Sequence, residues 1–103
     1  MLIVLTTVGS AGEGESLARS IVEAKLAACV QIMPQMTSVF SWEGQIQTDP
    51  EHLLLIKTLE EKFDDLSAFI KERHSYDVPE IVAIPAEKVS EDYLKWVLTA
   101  VGN

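Results

Sequence analysis

Two apolar sets interleave at the start of the chain. Leu2, Val4, Thr6 and Val8 form one alternate set and Ile3, Leu5 and Thr7 the other, and both are mostly apolar. That pattern predicts a strand covered on both faces. Gly9-Ser10-Ala11-Gly12-Glu13-Gly14 breaks it. From Glu15 to about Ala28 the period changes, with Leu17, Ile21, Val22, Lys25 and Leu26 at helical spacing. Cys29 to Trp42 returns to alternation: Val30, Ile32, Met36, Phe40 and Trp42 are apolar, against mostly polar Gln31, Gln35, Thr37 and Ser41. This predicts one long strand, with Pro34 marking a bulge or an edge position. Glu43-Gly44 predicts a hairpin turn, and Gln45 to Thr58 a second long strand with an irregularity at Asp49-Pro50. Within it Leu53-Leu54-Leu55-Ile56 is apolar at every position, so both faces are again expected to be buried.

Thr58-Leu59-Glu60-Glu61 has the form of a capping box. Leu59, Phe63, Leu66 and Ile70 continue as an apolar helical stripe expected to end near His74. Ile81 to Ile84 reads as a short strand. Ser90 followed by Glu91 and Asp92 reads as the capped start of a last helix carrying Tyr93, Leu94, Trp96, Val97, Leu98 and Val101. The predicted order is β-α-β-β-α-β-α. Its first six elements give an α+β, ferredoxin-like split βαβ sandwich, with helices on one face of an antiparallel sheet. One spare helix cannot cover the other face of two long apolar strands. Another copy of the chain can, so the pattern predicts an obligate homo-oligomer built through the sheet.

Composition narrows the class. At 103 residues the chain is expected to form a single domain, 1–103. With 48% hydrophobic and 23% charged residues it is not a disordered chain. Eight basic against sixteen acidic residues give a formal charge of −8, which repels nucleic-acid backbones and anionic membranes, so neither is expected as a partner. The lone Cys29 permits no intrachain disulfide and fits a reducing compartment. Met1 to Leu5 is too short for a membrane span and has no basic residue before it. The expected location is the cytoplasm.

Several residues are candidates for chemistry. Gly9-x-x-Gly12-x-Gly14 lies between a strand and a helix, yet it carries Glu13 and Glu15 where a phosphate would sit, and it reads as a flexible turn. Cys29 is either a small buried hydrophobe or a soft metal ligand or nucleophile. His52, inside an apolar strand, reads as structural or interfacial. His74-Ser75-Tyr76-Asp77-Val78-Pro79-Glu80 is the densest polar segment, placing an imidazole, a phenol and two carboxylates on a loop. It serves either function or helix capping and turn formation. Trp42 and Trp96 read as packing residues. Lys57, among Leu55, Ile56 and Leu59, needs a partner or a route to water, and Glu80 is a conceivable partner. Cys29 with His74 supplies a nucleophile and a base but no orienting group, so an enzyme is not expected.

These residues also resemble a known family. Lys25-Leu26-Ala27-Ala28-Cys29-Val30, Thr37-Ser38 with Trp42-Glu43-Gly44-Gln45-Ile46, Ile56-Lys57-Thr58, His74 to Ile81, and Tyr93-Leu94-Lys95-Trp96 are similar, in order and over nearly the whole chain, to the CutA (divalent-cation tolerance) signature. The resemblance implies a ferredoxin-like fold, a tight homotrimer with sheets facing inward, kinship in architecture with trimeric PII-type signalling proteins, and a role in tolerance of divalent ions, notably copper. Carried over by motif, the polar positions are Cys29, Trp42, Lys57, His74, Tyr76 and Glu80. On chemistry, Cys29, His74 and Glu80 are the candidate ligands for copper or another divalent metal. Trp42, Lys57 and Tyr76 are candidate cleft residues, with Lys57 meeting an anionic group. Ser75 stands where family members commonly have proline.

Overall fold

The computed structural model describes residues 1–102. It contains β1 (Leu2–Val8), α1 (Ala11–Glu23), β2 (Cys29–Ile32), β3 (Met36–Trp42), β4 (Gln45–Thr58), a 3-10 turn (Glu60–Lys62), α2 (Phe63–Arg73), β5 (Val82–Pro85) and α3 (Glu91–Val101). The sheet order is β2-β4-β1-β5, all antiparallel, with β3 paired to the far half of β4. This is the α+β arrangement expected from the periodicity.

The register sorts the residues. Leu2, Val4, Val8, Leu54 and Ile56 face Leu17 and Ile21 of α1 and Leu66 and Ile70 of α2 in one buried core. Each fully buried aliphatic side chain contributes roughly 1.5–3 kcal/mol. The opposite face is another matter. Leu5 lies opposite Leu55 in one ladder and Val82 in the other, and Ile3 lies between Lys57 and Ile84. Ile3, Leu5, Leu53 and Leu55 are only half-buried, and Val82 and Ile84 are 48% and 46% exposed. The spare helix α3 covers one end alone, packing Val97 and Val101 on Ala28, Leu59 and Met1. A single chain therefore leaves much of the apolar second face open. Among the described residues no helix is long and apolar enough to cross a membrane.

Some boundaries differ from those expected. Helix α1 starts at Ala11, not Glu15, because the Ser10 side chain accepts the Glu13 N–H at 3.1 Å. The glycine run is thus no flexible turn in its second half. Gly14 lies inside the helix, where a Cβ would come within 3.2 Å of Val8 and 3.5 Å of Ile32 and Leu54. The helix also stops at Glu23, short of Ala28, and Lys25 turns the chain with φ of 60°. Cys29–Trp42 is two strands divided at the expected Pro34 bulge: Met33 to Gln35 stand opposite only His52 and Leu53 of β4, and the Met33 N–H still donates to the Leu53 carbonyl at 2.8 Å. Asp49-Pro50 causes no slip: Asp49 pairs with Ser38 and Pro50 with Thr37. At that height β4 has only β3 beside it, an edge position that proline can occupy. The capping box does not form. The Thr58 hydroxyl donates instead to the Leu26 carbonyl at 2.7 Å. Ser90 holds the cap position of α3 without a side-chain bond. The Glu43-Gly44 turn is as expected, both residues having positive φ (51° and 79°) between paired Trp42 and Gln45.

Candidate functional site

The loop after α2 is held by its own polar residues. The His74 side chain is fully buried. Its Nε2–H donates to the Thr7 carbonyl at 2.7 Å, and its Nδ1 accepts the Tyr76 N–H at 3.0 Å. These partners assign the neutral Nε2–H tautomer and occupy both ring nitrogens. Glu13, in the first turn of α1, accepts from the Ser75 hydroxyl at 2.8 Å and from its N–H at 3.3 Å. Ser75 therefore anchors the loop to α1 by hydrogen bonds. Tyr76 reaches across to β4, and its hydroxyl donates to Glu51 Oε2 at 2.8 Å.

Between this loop and the β3–β4 hairpin lies a groove of about 750 Å³. Trp42, Tyr76 and Glu80, three of the residues singled out by sequence, line it together. Asp49, Glu51 and Asp77 line it too, and no Lys, Arg or His does. Burial first, then the hydrogen bond to Glu51 and the charges of Glu51, Glu13 and Asp49, push the Tyr76 phenol from 10.0 up to about 12. The folded state thus holds this proton more tightly than the unfolded chain. The stability it contributes is complete below the unfolded value and is lost as pH rises through the folded one. Tyr76→Phe is expected to flatten the fall in urea midpoint between about pH 10 and about pH 12 relative to wild type. Identical alkaline slopes in the two proteins would contradict the assignment.

The other candidates stand elsewhere. Cys29 is half-buried and pairs directly with Lys57 on the open sheet face. Lys57 donates to Gln31, not to Glu80, and is not among the groove residues. Within one chain Lys57 therefore stands apart from Trp42 and Tyr76. The Tyr93 phenol is raised, by burial and then by the neighbouring Cys29. His52 is structural: its Nδ1–H donates to the Met33 carbonyl at 3.0 Å, fixing the β2–β3 connection.

The metal-ligand set does not assemble within one chain. Cys29 is level with Ile3 through Lys57, whereas His74 is bonded at Thr7. Four residues along a strand separate these levels by about 13 Å. His74 has no free nitrogen, and Glu80 lies in the groove. Among the described residues no three His, Cys, Asp or Glu side chains gather closely enough to hold a metal ion. Cys29, His74 and Glu80 of a single chain therefore do not fit a bound metal.

Sequence reasoning did not single out Asp49, Glu51, Phe40 or Glu13. The signal for three of them lies in the alternation: Gln47, Asp49 and Glu51 share one face of β4, beside Ser38, Phe40 and Trp42 of β3.

The model of the CutA1 divalent ion tolerance protein family matches residues 2–100. Protein CutA 1, chloroplastic, of Oryza sativa is 47% identical over 93% of the chain and 54% of that protein. Protein CutA, chloroplastic, of Arabidopsis thaliana is 43% identical over 99% of the chain and 56% of that protein. The chain thus spans about half the length of these plant relatives. The divalent-cation tolerance protein CutA of Thermus thermophilus is 43% identical over 92% of both chains. Among solved structures, CutA1 from Oryza sativa superposes with a TM-score of 0.94 at 45% identity, covering 96% of this chain and 91% of that one. The periplasmic divalent cation tolerance protein CutA from Archaeoglobus fulgidus gives 0.94 at 38% identity, covering 98% and 99%. With its ferredoxin-like fold, the chain belongs to the CutA1 divalent ion tolerance protein family.

Proposed function

We propose that this chain acts in divalent-ion tolerance as a cytoplasmic homotrimer without catalytic activity, binding copper or another divalent metal where chains meet. The observation that carries this reading is the open apolar face around Leu5 and Leu55, too large an apolar surface to leave in water. Cys29 and Lys57 lie on that same face. Because one chain gathers no ligand cluster, the metal site requires donors from more than one chain. Cys29 is the donor that suits copper, and a symmetric assembly can bring several copies of it together. The engaged nitrogens of His74 and its distance from Cys29 argue against a nucleophile–base pair. The single unpaired Cys29 supports a reducing location.

Light scattering with copper titration tests the reading. The wild-type protein is expected to have the mass of three chains and to bind copper, and Cys29→Ala to weaken copper binding by about tenfold or more. A monomeric wild type, or equal copper affinity in the variant, rejects it. A second reading, a scaffold trimer with a small molecule or partner protein in its cleft, is favoured by the groove. Its volume of about 750 Å³, with Phe40, Trp42 and Tyr76 in the walls, falls in the range of small-molecule sites.

A further inference from the structure

His74 is a buried titratable group that the copper reading leaves unused. Its side chain is shut off from water, yet a carboxylate stands beside it: Nδ1 lies 3.9 Å from Glu13 Oε2. At the same time Nδ1 accepts the Tyr76 N–H at 3.0 Å, and Nε2–H donates to the Thr7 carbonyl at 2.7 Å. This pair of bonds suits the neutral ring alone. In an imidazolium both nitrogens are donors, so Nδ1–H would face the Tyr76 N–H and that bond would be lost. Glu13 is placed to take the new donor, and it already holds the Ser75 N–H and hydroxyl.

The other charged groups around the ring are engaged elsewhere. The strands β1 and β5 carry no titratable side chain. From β4, Glu51 receives the Tyr76 hydroxyl, and Asp49 acts on the same phenol. On the loop itself Asp77 and Glu80 line the groove. On α2 the Arg73 guanidinium lies 3.6 Å over the Phe69 ring, at the rim of a small surface pocket that Glu13 also lines. We propose that His74, Glu13 and the Tyr76 amide form a pH-sensitive latch on the loop after α2. When the imidazole takes a proton from solvent, Nδ1–H turns to Glu13 and the Tyr76 N–H loses its acceptor. Tyr76 is then released, and with it the groove wall that also includes Asp77, Val78 and Glu80. The closed loop binds the neutral ring, so it is favoured at higher pH and lost as pH falls. Histidine is the side chain whose charge ordinarily changes between about pH 5 and pH 8, where carboxylates ordinarily remain charged. The latch needs one chain and no metal, so its fate is separate from that of the copper site.

Nuclear magnetic resonance of the full-length protein with a metal chelator present tests it, between about pH 8 and about pH 5. Imidazole nitrogen shifts are expected to show His74 as the Nε2–H tautomer at the upper end and doubly protonated at the lower. The protection factor of the Tyr76 amide, which removes the intrinsic pH dependence of exchange, is expected to fall about tenfold or more with the same midpoint. The Val4 and Ile56 amides in the core are expected to keep their protection, which sets release of the loop apart from global unfolding. Glu13→Gln keeps an acceptor for Ser75 but removes the charge that receives Nδ1–H, and it is expected to move the midpoint to lower pH. His52→Gln, at the second histidine, is expected to leave the midpoint in place. The proposal is overturned if His74 stays neutral at the lower pH, or if Tyr76 protection holds while His74 titrates. It is also overturned if the core amides lose protection in parallel, if the midpoint is the same in Glu13→Gln, or if the transition vanishes in folded His52→Gln. Should Glu13→Gln fail to fold, the wild-type ring shifts and amide protection still decide.

Discussion

Leu55→Glu is expected to convert the assembled protein into folded single chains. Leu55 sits at the middle of the open face, flanked by Leu5 of β1 and Gln31 of β2. Within one chain it is only half-buried, so a carboxylate there can reach water and the helix-covered core is undisturbed. In an assembly built through this face the same carboxylate would be desolvated among apolar side chains. Symmetry would also place its copies near one another, with like charges in a medium of low dielectric constant. The expected result is a light-scattering mass falling from three chains to one, with the far-ultraviolet circular dichroism retained. An unchanged mass would show that the assembly does not use this face.

Leu54→Ala is expected to cost about 2–5 kcal/mol, the range for deleting a fully buried leucine. Leu54 is 0% exposed, and its side chain approaches the Gly14 backbone. The glycine brings α1 close to the sheet, so little can collapse into the space left behind. Small domains have only about 5–15 kcal/mol of stability, and a loss of this size moves the urea midpoint far. The comparison with wild type requires equal chain concentration, since assembly contributes to apparent stability. A midpoint shift equivalent to less than about 1 kcal/mol would mean that the site repacks.

Much of this architecture is legible in periodicity, because alternation and helical spacing report which faces are covered. Leu2 to Val8 and Leu53 to Ile56 announce a second buried face before any pairing is known, and Glu43-Gly44 announces the hairpin. What stays hidden depends on contacts distant in sequence. The glycines of α1 look like a break unless the approach of Val8 and Leu54 to Gly14 is known. Thr58 looks like a cap until the Leu26 carbonyl, 32 residues away, takes its hydroxyl. His74 looks like a free ligand until Thr7 and the Tyr76 amide occupy its ring. Glu51 looks like one acid of many, and only the fold buries it beneath Tyr76. The groove is therefore the part least readable from sequence, since its two walls come from a hairpin and a loop that are adjacent only after folding.

Strand β4 pairs with β1, β2 and β3, and it arrives only at residues 45–58. During synthesis on the ribosome, β1 has no ladder partner until that segment emerges. At about 5–20 residues per second the wait lasts about 2–10 seconds. Through that interval the Leu2–Val8 run is a naked apolar stretch, and the nascent chain depends on chaperones or on speed to keep it from aggregating.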